Sequence, residues 1–150
     1  GSMETAEVVC YELRVPRERL VPEFAFLDKR GMGVFEGRKW EEVEGEVEGL
    51  DRETEYGRPP MGEDGTPNDS LEDVAVRVKQ LLSKLETQYF AADVLVVAPD
   101  STNLSVFEAL LKNVDIRDHE RFAYKCGEAR AVDPVIVKRA APAVIPLDSA

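Results

Sequence analysis

The 150-residue chain contains a single histidine, His119, so chemistry that needs two imidazoles cannot be assembled within it. Its two cysteines, Cys10 and Cys126, are too few for a disulfide-stapled scaffold and show no CxxC spacing. No apolar stretch approaches the ~20 residues of a membrane span, which argues against membrane insertion. Positive charge is also scarce. With 19 Lys and Arg against 30 Asp and Glu, the net charge of −11 repels nucleic-acid backbones and anionic lipid alike. Residues 62–69 carry acids, but not at the alternating ligand positions of a calcium loop, so neither a metal nor another cofactor is expected. The balance reads as an intracellular soluble protein whose organelle is left open, a plastid included.

The length suits one domain with room for a hydrophobic core. Ala6, Val9, Cys10 and Leu13 form the stripe of an amphipathic helix over residues 4–13, which places Cys10 inward as a buried reduced thiol. Pro16 ends that helix. Trp40, Val43, Val47 and Leu50 mark a second helix, and the acids of residues 41–55 read as its solvated face. Residues 51–68 form a polar Gly/Pro loop long enough to act as a lid. Leu71, Val74, Val78, Leu81, Leu82, Leu85 and Tyr89 give a long helix an apolar face, with Asp69 and Glu72 placed as its capping pair.

The β-branched run over residues 93–98 reads as a strand buried on both faces of a parallel sheet, followed by a helix over residues 103–113 capped by Ser101. Residues 122–125 and 129–132 read as two more short strands. Charged neighbours place His119 on the surface. Residues 139–150 read as a tail.

Residues 27–37, LDKRGMGVFEG, and the later Val97-Ala98-Pro99-Asp100 carry a resemblance. The first is similar to the Leu-x-Glu-Arg-x-x-Gly-x-x-Glu-Gly segment of the histidine phosphatase superfamily (phosphoglycerate mutase-like). Leu27, Arg30, Gly33, Glu36 and Gly37 match. The resemblance implies a proton-donating acid where Lys29 stands, and an ammonium of pKa ~10 cannot take that role near neutrality. The later segment resembles a Val-Ser-His-Gly pattern with Pro99 in place of the histidine and Asp100 in place of the glycine. Asn68-Asp69-Ser70 resembles a Gly-Glu-Ser motif, and Arg77 matches an arginine common at that point.

The resemblance spans about residues 5–133 and implies an α/β fold, a three-layer sheet with flanking helices. Residues 1–3 read as an expression scar and 4–138 as a partial domain lacking the family's N-terminal Arg-His-Gly segment, so that the sheet is incomplete or rearranged. Val135, Ile136 and Val137 are a candidate substitute strand; self-association, or a separate polypeptide supplying the missing piece, would also cover the open edge.

With Lys29 and Pro99 as degenerate catalytic positions, the expected function is a non-catalytic binding or scaffold module, a pseudophosphatase. Arg30, Lys29, Ser101, Thr102 and Asn103 are the candidates for holding a small phosphorylated ligand. One alternative is a phosphatase whose nucleophilic histidine lies in a missing N-terminal segment, with Asp100 or Asp28 as its acid. Another is a structural subunit of a larger assembly that docks a protein partner.

Overall fold

The computed structural model describes residues 1–134, and among these the fold is helical. Five α-helices occur in the order α1 (Ser2–Glu12), α2 (Phe24–Leu27), α3 (Trp40–Glu53), α4 (Leu71–Gln88) and α5 (Ser101–Leu111). Turns of 3₁₀-helix lie at Arg17–Arg19, Gly33–Phe35 and Ile116–Phe122. None of these helices is long and apolar enough to cross a membrane.

The centre of the fold is α4 against α5. Leu71, Val74, Ala75 and Val78 from α4 and Val106 from α5 are fully buried together, with Leu82, Phe107, Leu110 and Ile116 packed around them. The apolar spacing along α4 puts these residues on one stripe, and burying that stripe stabilises the helix. Phe35, Val43 and Val47 form a smaller core with Met32, which seats α3 beside the turn at Gly33–Phe35.

The expected α/β sheet is absent from the described residues. Their only β-type pairing is an isolated antiparallel bridge between Met32 and Asn68. The run at residues 93–98 has no strand structure, and Val94 and Leu95 are exposed at 45 % and 61 %. A strand buried on both faces needs paired neighbours and two covering layers. Here α4 and α5 bury their stripes directly against each other, which leaves the apolar run nothing to pair with among the described residues. The strands expected at 122–125 and 129–132 are likewise absent. The substitute strand at Val135, Ile136 and Val137, and the tail, lie outside the described residues.

Both long-helix caps fall one residue from their expected places. Ser70, rather than Asp69, caps α4: the Asp73 amide donates to its Oγ at 3.1 Å, and the Asp73 carboxylate accepts from the Ser70 amide at 2.9 Å. Asp100, rather than Ser101, caps α5. Cys10 is half-buried and Cys126 exposed, and both are free thiols.

Candidate functional site

The motif segment at residues 27–37 is held from three sides. Along one side the chain returning to α4 is stitched to it: the Gly33 amide donates to the Pro67 carbonyl, Val34 to Pro60, and Asp69 to the Gly31 carbonyl, each at 2.9 Å. The loop expected as a lid is therefore tied down at its far end. Glycine is required at Gly33, where φ is +56° and a β-carbon would stand 2.3 Å from the Pro60 carbonyl oxygen.

From the second side, α5 clamps the segment through Asp100 and Asn103. One Asp100 carboxylate oxygen accepts from the Asn103 amide and the other from the Arg30 amide, both at 2.9 Å. The Asn103 side chain donates to the carbonyls of Leu27 (3.1 Å) and Asp28 (2.9 Å). A helix N-terminus presents free amides that attract anions. Here the chain's own carboxylate already occupies that position. Asp69 repeats the device next door, accepting from the Gly31 amide at 2.7 Å.

The third support is a buried polar chain. Arg30 donates both terminal nitrogens to Asp51 at 2.8 Å and its Nε to the Asp69 carbonyl at 3.2 Å. The two side chains are 1 % and 2 % exposed. Asp51 also faces His119 Nε2 at 3.1 Å, and His119 Nδ1 lies 2.8 Å from Ser105 Oγ. A carboxylate can only accept, so the proton on that side sits on Nε2. Burial works to raise the Asp51 carboxyl, but the hydrogen bonds from His119 and Arg30 and their charges outweigh it and hold it below its ordinary value.

Asp51, His119 and Ser105 thus stand in the order of a Ser–His–Asp triad. They do not offer its chemistry. Ser105 is 1 % exposed, and its hydroxyl is also within bonding distance of the Thr102 carbonyl, at 3.1 Å, which leaves no face for a substrate.

The remaining candidates are scattered. Lys29 is exposed and paired with Glu36, whose hydrogen bond and charge raise the ammonium above its usual range. Pro99 is exposed on the irregular run before α5. Ser101 accepts the Tyr124 amide at 2.8 Å, and Thr102 is half-buried on the first turn of α5. Arg30 and Asn103 converge on the motif segment, with the Arg30 guanidinium and the Asn103 side-chain nitrogen turned to protein partners, while Asn103 Oδ1 is buried without one.

His119 is buried at 6 % exposure, which corrects its expected surface position. Its charged neighbours gave no sign of this, because the tight 3₁₀ turn alone carries it inward. Asp51 did leave a signal. It continues the buried Val43, Val47 register by four residues, and an acid on an apolar stripe needs a buried partner. No cluster of metal-ligating side chains occurs among the described residues.

Comparison with known proteins adds one match. The model of the histidine phosphatase superfamily (branch 1) matches residues 2–133. No curated protein and no solved structure matches the chain. The matched region takes in α1 from its first residue, which corrects the expectation that the domain lacks its N-terminal part, although no Arg-His-Gly triplet occurs in the sequence. With nearly the whole chain matched, it belongs to the histidine phosphatase superfamily.

Proposed function

We propose that this domain is a non-catalytic member of its superfamily, a pseudophosphatase that serves as a binding or scaffold module. The observation that carries the reading is internal occupancy. The amides of Arg30, Gly31 and Asn103 are held by the carboxylates of Asp100 and Asp69, and the Arg30 guanidinium is held by Asp51. An incoming phosphate would have to displace like-charged groups from each of these donors. Lys29 at the acid position and Pro99 at the histidine position support the same conclusion from chemistry. Of the candidates for a phosphorylated ligand, Lys29 keeps the most accessible charge.

A protein partner or a second copy is supported by the apolar surface at Phe90, Val94 and Leu95, with Phe90 91 % exposed. Assay of the purified protein against a panel of phosphomonoesters tests the first part. The expected result is no turnover above the blank; turnover that survives repurification and is lost in a Lys29→Ala variant refutes it. Sedimentation of the protein with and without Leu95→Glu tests the second. Association that the substitution abolishes is expected, whereas a monomer that captures no partner through this face opposes it.

A further inference from the structure

Arg77 lies on α4, eight residues beyond Asp69, and its side chain is 22 % exposed. It lines a shallow groove of about 490 Å³ together with Lys29, Gly31, Glu36, Thr66 and Asp69. One terminal nitrogen, Nη1, reaches Asp69 Oδ2 at 3.3 Å. Its Nε and Nη2 are shut off from solvent and have no hydrogen-bond partner. A buried donor without an acceptor costs about 1–3 kcal/mol, so two on one side chain require an explanation. Arg30, by contrast, has a partner at each of the same three nitrogens.

The two orphan groups are not independent. Nε–H and Nη2–H lie along one edge of the planar guanidinium and point the same way, the fork that grips two oxygens at once. A single carbonyl satisfies only half of it; a carboxylate satisfies both. Asp69 holds the side chain through one long contact, while its own carboxylate is committed more closely to the Gly31 amide at 2.7 Å. Arg77 is among the residues that line the groove, and a turn of its side chain about that contact would bring the fork to it.

Charge then selects among anions. Asp28, Glu36 and Asp69 outnumber Lys29 and Arg77 along the groove, and Lys29 is already paired with Glu36. That net negative charge repels a phosphate dianion about twice as strongly as a singly charged carboxylate, whose two oxygens match the unpartnered Nε–Nη2 edge of Arg77.

We infer that the Arg77 groove is a ligand site for a carboxylate group, gripped side-on by Nε and Nη2. The inference rests on the reading of the domain as a binding module and names the ligand class that module takes. The two fail separately, because turnover of phosphoesters refutes the module and leaves carboxylate binding to be judged by its own readout.

That readout is the arginine Nε–H region of the ¹H–¹⁵N spectrum of the whole protein, with the Arg77 signal assigned through its backbone. The titrants are acetate, propionate, phosphate and chloride at constant ionic strength. The expected result is a saturable downfield shift of the Arg77 Nε–H with the two carboxylates, at least tenfold tighter than with phosphate or chloride. Arg77→Lys, which keeps the charge but removes the fork, is expected to weaken binding at least tenfold while the melting temperature stays within a few degrees. An equal response to all four anions, or a protected Nε–H that no titrant moves (an ordered water only), overturns the inference. The wild-type titration decides even where Arg77→Lys fails to fold.

Discussion

Replacing Asp51 with asparagine tests the buried chain at its centre. Asp51 accepts two bonds from Arg30 at 2.8 Å and faces His119 at 3.1 Å, all away from water. Asparagine keeps one acceptor oxygen, turns the other position into a donor that faces donors, and leaves the Arg30 charge buried without a counterion. Breaking a buried ion pair from one side costs about 3–5 kcal/mol, a large share of the ~5–15 kcal/mol that holds a small domain together. At a urea m-value of about 2 kcal/mol/M the unfolding midpoint should fall by roughly 1.5–2.5 M, read by far-ultraviolet circular dichroism.

Replacing the pair together, as Arg30→Met with Asp51→Leu, removes both charges and should recover much of the loss. The pH dependence has a fixed sign. The Asp51 carboxyl is held below its ordinary 3.8, so its contribution is complete above that value and fades as pH falls through the folded-state value. Asp51→Asn should therefore flatten part of the acid limb. A single variant within about 0.5 kcal/mol of wild type would refute the argument, since that is the range of an inert surface change.

Four further outcomes are expected. Burial, with the Glu108 hydrogen bond and charge, pushes the Tyr124 phenol up to about 12. Stability should therefore fall as pH rises from the ordinary 10.0 towards that value, and Tyr124→Phe should lessen the fall in alkaline denaturation curves. Ser70→Ala should cost about 1 kcal/mol through loss of the α4 cap. Asp100→Ala should cost about 2–3 kcal/mol in the same urea assay, because it also strips the Arg30 amide of its acceptor. Gly33→Ala should lower the melting temperature more than Gly37→Ala. Both glycines have positive φ, but only at Gly33 does a β-carbon strike backbone.

Much of the helical content was decided locally. The stripes of α3 and α4 and the Pro16 stop lie in residue spacing, and spacing holds wherever the helix packs. The absence of a histidine pair, and the lysine and proline at positions 29 and 99, are likewise facts of sequence that no fold can reverse. What local pattern could not settle was the partner of each apolar surface. The run at Val94 to Val97 has the composition of a buried strand, yet a strand is made by its neighbours, and α4 packs on α5 instead.

The same holds for the site. That Arg30 carries a charge at the motif was plain from the sequence, but only the tertiary structure brings Asp51, 21 residues away, against it. Only the fold also closes Ser105 and His119 behind that pair. A charged group is free or spoken for according to what lies within 3 Å of it, and that distance is set by packing between elements remote in the chain.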